Sequence, residues 1–164
     1  MKTLGISILF FAAALVCAAQ STSPQPKIEN SADMKFANIP NAPTCFTGAV
    51  ENGDPASGPS TILLKGAKGC DVPMHFHSVT EQVLMVSGTA RLQMKGDQLR
   101  TLKAGGFAIA PARHPHQFTC ASACELYVLS DGPFDIHYID DAGKEIPFEQ
   151  AVKPAGKPVK TSQY

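Results

Sequence analysis

Residues Gly69 to Gly88 read GCDVPMHFHSVTEQVLMVSG, which sets His75, His77 and Glu81 between two glycines. In an extended chain successive side chains point to opposite faces, so His75 and His77 share one face and Phe76 takes the other. A turn over Ser78 to Thr80 returns Glu81, at the start of the next strand, to the histidine face. Two imidazoles and a carboxylate converging from adjacent strands suit a borderline divalent metal such as iron, manganese, nickel or zinc. Plainer readings compete. Ser78-Val79-Thr80-Glu81 also has the form of a helix capping box, and a helix would put Glu81 one turn after His77. The QVLMVSG that follows is rich in valine and has no helical charge pattern, which favours a strand. An HXH pair by itself is more often structural or exposed than a metal site, so the metal reading needs a further ligand.

That ligand is expected from Gly105 to Cys120, GGFAIAPARHPHQFTC, where the strand-like run Phe107 to Ala110 meets Pro111 and then His114 and His116. His116 opens the next extended run, Gln117-Phe118-Thr119. Here the chain resembles the cupin superfamily, whose first motif is G(X)5HXH(X)3,4E(X)6G and whose second is G(X)5PXG(X)2H(X)3N. Gly69, His75, His77, Glu81 and Gly88 match the first motif at every position. Gly105, Pro111 and His116 match the second, while Arg113 replaces the usual glycine and Cys120 the usual asparagine. The resemblance implies an all-β fold, a double-stranded β-helix or jelly-roll barrel. It also implies one divalent metal ion (Fe, Mn, Ni or Zn) held by His75, His77, Glu81 and His116. Within cupins the chain is similar to small single-domain exported proteins related to the cupin domain of the ChrR anti-sigma factor. GDPASGPSTILLK before the metal motif and DGPFDIHY after it carry that similarity, which extends over about Gly53 to Tyr138.

At the start, Lys2 precedes the apolar run Leu4 to Val16 and the small residues Cys17-Ala18-Ala19. The run is too short to span a bilayer and has the form of a secretory signal peptide over residues 1–19, cleaved after Ala19. A lipoprotein anchor on Cys17 is the alternative, and the bulky Val16 before it fits that poorly. Cleavage removes one of the 14 basic residues, leaving 13 against 14 acidic ones and a net charge of −1. With no basic cluster and no interleaved aromatic surface, nucleic acid is not an expected partner. The expected location is secreted or periplasmic, with no stable membrane span.

Export changes how cysteine is read. Cys45, Cys70, Cys120 and Cys124 remain, an even number in an oxidising compartment, and four cysteines allow three pairings. Cys120 with Cys124 could close a hairpin loop, leaving Cys45 to tie the entry segment to Cys70; the sequence leaves the choice open. Cys120 shares strand parity with His116 and Phe118, so it is expected to face the same interior.

Residues 20–43 are rich in Pro, Ser and Asn without apolar period and read as a flexible segment. The barrel is expected over 44–150 and a solvated tail over 151–164. Within the barrel, strands are expected at Cys45 to Val50, Thr61 to Lys65, Ala90 to Lys95, Gln98 to Lys103, Glu125 to Ser130 and Phe134 to Ile139. The loop Gly53 to Pro59 is placed near a barrel mouth. In the last strand His137 lies opposite Phe134, Ile136 and Tyr138, and so reads as exposed and not as a fifth ligand. Val83-Leu84-Met85-Val86 is apolar on both faces. Its outer face needs cover from the N-terminal segment, from the barrel's own sheets or from a second subunit in a homodimer.

Two function classes remain. In one, the metal acts as a Lewis acid or redox centre on a small organic ligand in a dioxygenase-like reaction. Arg113 is then a candidate partner for an anionic substrate group, and His114 stands behind the ligands. In the other, the barrel binds metal or a small ligand without turnover, as a sensor or carrier. Met85, Met94, Phe107, Ile109 and Phe118 are expected to line an apolar cavity. No nucleophile elbow, phosphate loop or dinucleotide fingerprint is present.

Overall fold

In the computed structural model, which describes residues 26–152, strict alternation organises the chain into strands. Along Cys124–Ser130, for example, Cys124, Leu126, Val128 and Ser130 are buried while Glu125, Tyr127 and Leu129 are partly exposed. In chain order the elements are β1 (Ala37–Asn38), β2 (Phe46–Gly53), β3 (Ser60–Gly66), β4 (Asp71–Phe76), β5 (Glu81–Ser87) and β6 (Thr89–Met94). There follow β7 (Arg100–Lys103), β8 (Phe107–Ala110), β9 (His116–Cys120), β10 (Cys124–Ser130), β11 (His137–Tyr138) and the short helix α1 (Phe148–Ala151). The expected signal peptide (1–19) and most of the expected tail lie outside the described residues. No helix among those described is long and apolar enough to cross a membrane.

The strands form two antiparallel sheets, in the orders β1-β2-β3-β10-β5-β8 and β11-β4-β9-β6-β7. Connections such as β4 to β5 and β9 to β10 pass from one sheet to the other, so consecutive strands wind around one interior. This is the expected double-stranded β-helix. One end of the interior is packed by Phe46, Met85, Ala90, Phe118, the cystine Cys120–Cys124 and Cys70, which is bridged to Cys45 at the surface. The large side chains among these, Phe46, Met85 and Phe118, each contribute about 1.5–3 kcal/mol by burial. Gly66 is needed there, since a Cβ would stand 2.5 Å from both Cys120 Sγ and the Phe46 ring.

The motif glycines have a backbone reason. Gly69, Gly88 and Gly105 all adopt positive φ, where a side chain is disfavoured, and at Gly88 a Cβ would also run into the Ala123 carbonyl. Arg113, standing where a glycine is usual, adopts φ 61°. The turn before His116 is therefore kept at the cost of a strained arginine backbone.

Three expectations are corrected. The barrel is not confined to residues after Thr44: β1 pairs with β2, and Ile39 and Ala42 wall the interior. Apolar residues spaced among Asn and Pro supplied no period from which to read this. The expected strand Phe134 to Ile139 is ladder-paired only over His137–Tyr138, because the preceding residues fold over the barrel mouth. Phe107 and Ile109 face outward and are 54% and 50% exposed. β8 pairs with β5 in a register that sets Ala108 opposite Val83 and Ala110 opposite Glu81, so the alanines point inward.

Candidate metal centre

The other end of the barrel interior holds the four residues singled out from the sequence. His75 lies near the end of β4, His77 just beyond it, Glu81 opens β5 and His116 opens β9. All four are buried, with exposures of 2–7%. A β-bulge brings them together. Val72 pairs with Phe118 and His75 with His116, so β4 spends one more residue than β9 between these two pairs. Pro73, which cannot donate to the ladder, sits in the extra turn of chain. The bulge reverses parity after Val72, and Val72, His75 and His77 all face the interior.

The bulge also frees the Pro73 carbonyl, which accepts the Nδ1–H of His75 at 2.7 Å. The His114 carbonyl does the same for His116 at 3.0 Å, and the Asp135 carbonyl for His77. With each Nδ1 so committed, each imidazole presents Nε2 to the interior, the tautomer a metal ligand requires. The nitrogens that the three imidazoles offer lie within 4.8 Å of one another. His77 Nε2 is buried and has no hydrogen-bond partner. A buried, unpartnered nitrogen aimed at two others fits a metal ion, and these three histidines could hold one. A Glu81 carboxylate oxygen stands 3.1 Å from His116 Nε2 and 3.6 Å from His77 Nε2.

Electrostatics agree with this arrangement. Burial, reinforced by His116 and His77, pushes His75 down to about 3, and burial likewise lowers His77. Burial alone would raise Glu81, but the imidazoles of His77, His116 and His75 outweigh it and hold the carboxyl at about 2. His116 moves upward, because its hydrogen bond to Glu81 and that carboxylate's charge overcome the effect of burial. Without metal, His116, set against Glu81, is therefore the imidazole of the cluster that takes a proton most readily.

The site opens on a cavity of about 60 Å³. Of the side chains expected to line it only Phe118 does so; Val83 and Leu92 stand where Met85 and Met94 were expected. Met94, Phe107 and Ile109 line a separate open groove beside the β6–β7 hairpin. Arg113 does not reach the interior: its guanidinium lies 5.1 Å over the outer face of the Phe76 ring. His114 contributes its carbonyl and not its ring. His137 lies outside the cavity, stacked on Phe76 at 4.8 Å and held by Asp135 and Glu145. Cys120 does face inward, but in a disulfide with Cys124.

Asp135 escaped the sequence reading. Besides offering its carbonyl to His77, it accepts the Ser78 N–H on its carboxylate at 2.7 Å. Asp131 binds the Thr80 N–H in the same way at 2.8 Å. These two bonds clamp residues 131–135 over the turn between His77 and Glu81, and Phe134 stacks on the His77 ring at 4.5 Å. The Gly53 to Pro59 loop supports the same segment, its Pro55 carbonyl accepting the Phe134 N–H at 2.8 Å. A pair of aspartates flanking Gly-Pro-Phe announces a turn, not the distant backbone it pins.

Residues 63–130 match the family model described as the cupin domain. The barrel has the cupin fold. Solved structures share it at low identity. A cupin protein similar to RmlC from Ralstonia eutropha is 21% identical, with a TM-score of 0.59 over 74% of this chain and 77% of that one. The polyketide cyclase RemF of Streptomyces resistomycificus is 16% identical, with a TM-score of 0.61 over 76% of this chain and 92% of that one. An acetylacetone dioxygenase from Acinetobacter johnsonii is 16% identical, with a TM-score of 0.58 over 82% and 93%. At these identities the likeness concerns the cupin fold alone. No curated protein matches the chain in sequence.

Proposed function

We propose that this cupin binds one divalent metal through His75, His77, His116 and Glu81 and acts on a small organic molecule in an oxygenase-type reaction. The observation that carries the reading is the buried His77 Nε2, left without a partner beside two further imidazole nitrogens and a carboxylate. A metal bound there would supply Lewis acidity or redox chemistry. The chain's own residues orient the ligands through three backbone carbonyls and exclude water with an apolar wall. The test is elemental analysis of the purified protein together with oxygen uptake against small phenols, diketones and thiols. About one iron per chain with substrate-dependent uptake supports the reading; absence of metal overturns it.

Binding without turnover, as a sensor or carrier, is the second reading. It is favoured by the cavity lining, which among the described residues offers no acid or base beyond the four cluster residues. One zinc per chain with no oxygen uptake would select it. The ChrR-type likeness is part of the same proposal; the two stretches that carry it meet at the Pro55–Phe134 hydrogen bond. Export to the periplasm or medium is proposed from the amino-terminal sequence and accords with two disulfides. A homodimer is proposed from the outward Leu84, Val86, Phe107 and Ile109, each 39–54% exposed on neighbouring strands.

A further inference from the structure

The cavity beside the histidines has walls of one kind. Its lining includes Ile62, Val83, Leu92, Phe118, Leu126 and Phe134, and its polar side chains are His75, His77, His116 and Glu81 alone. No lysine, arginine, hydroxyl or amide lines it among the described residues. Arg113, the candidate partner for a substrate charge, is turned away onto Phe76. At about 60 Å³ the space is small, which suits a small molecule and not a long chain.

We propose that this site takes a monofunctional small molecule, with one oxygen-bearing end at the histidines and a short hydrocarbon remainder against the apolar walls. The inference rests on the metal-site reading for the oxygen-bearing end, whereas the hydrocarbon remainder follows from the walls alone. A second hydroxyl, amine or carboxyl at the far end would be buried against Leu, Val, Ile and Phe with no partner, and its lost hydration would not be returned. Sugars, amino acids and dicarboxylates are thereby excluded. Phe134 is a fixed wall beside His77 and not a loose flap. The segment that carries it is tied to residues 78–80 by Asp131 and Asp135, its backbone N–H is bonded to Pro55, and its ring rests on His77.

The experiment compares matched probes on the zinc-loaded chain, reading binding from the methyl resonances of Val83, Leu126 and Val128. Butyrate is set against 4-hydroxybutyrate, and butanone against 4-hydroxybutan-2-one, so that the result does not depend on the head group. Octanoate tests length. The singly functional member of each pair is expected to bind at least about tenfold more tightly, the cost of one buried unpaired hydroxyl. Octanoate, too long for so small a space, is expected to be excluded. Equal binding within both pairs, octanoate binding as tightly as butyrate in the wild type, or no probe binding at all would overturn the proposal. Metal uptake is measured separately by equilibrium dialysis. If zinc is not taken up, the metal reading fails, and the butanone pair on the metal-free chain still decides whether the walls select as stated. The comparisons within each pair need no variant.

Discussion

His75 and His116 face each other across β4 and β9, directly paired in the ladder with ring centroids 4.3 Å apart. They come from different motifs, and one bulge at Pro73 sets their common direction. His75→Ala or His116→Ala is expected to abolish stoichiometric metal binding, measured as metal per chain after dialysis. His137→Ala, which removes an imidazole outside the cavity, should leave it unchanged. Full metal in both ligand variants would rule out the site.

The metal-free barrel is expected to lose stability on acidification. His75 lies at about 3 in the folded chain against 6.5 for the free group, so below pH 6.5 the unfolded state takes up a proton that the folded state refuses. His77 is lowered too, with the same sign. Glu81, lowered from 4.5 to about 2, adds a loss as pH falls through that interval. His116 is raised and opposes these above 6.5. Urea midpoints measured from pH 7.5 to 4 should therefore fall, and a metal-loaded sample should hold its midpoint to lower pH.

Metal affinity should itself depend on pH in the opposite direction from proton binding. His116 must surrender the proton it shares with Glu81 before its Nε2 can act as a ligand. Zinc affinity is expected to rise by about tenfold per pH unit below the raised value of His116 and to level off above it. A slope of zero in calorimetric titrations across that range would contradict the assignment.

Asp135 should matter to the metal although it is not a ligand. Its carboxylate fixes the Ser78 N–H and so the position of the carbonyl that orients His77. Asp135→Ala is expected to weaken zinc binding about tenfold, the lower range for loss of an outer partner of a ligating histidine. Unfolding in the metal-free state separates this from a general loss of fold.

Arg113 offers a test of backbone strain. Its φ of 61° is costly for any residue with a Cβ, by about 1–2 kcal/mol. Arg113→Gly and Arg113→Ala both remove the guanidinium from Phe76, so their difference isolates the backbone. The glycine variant should be the more stable by about 1 kcal/mol in urea unfolding.

Much of this protein was legible along the chain because the information was local. Period-two alternation, turn residues and the spacing of His75, His77, Glu81 and His116 announce an all-β barrel whose four polar residues meet. An even cysteine count announced pairing, though not which cysteines pair. What remained hidden depends on register between distant strands. Sequence parity suggested that Phe107 and Ile109 line the cavity; the β5–β8 register turned them outward and put two alanines inside. It could not show that a bulge turns His75 inward, because a bulge is defined only against its partner strand. Nor could it show that carbonyls of Pro73, His114 and Asp135 orient the imidazoles, since a backbone carbonyl is the same in every residue and only folding chooses where it points.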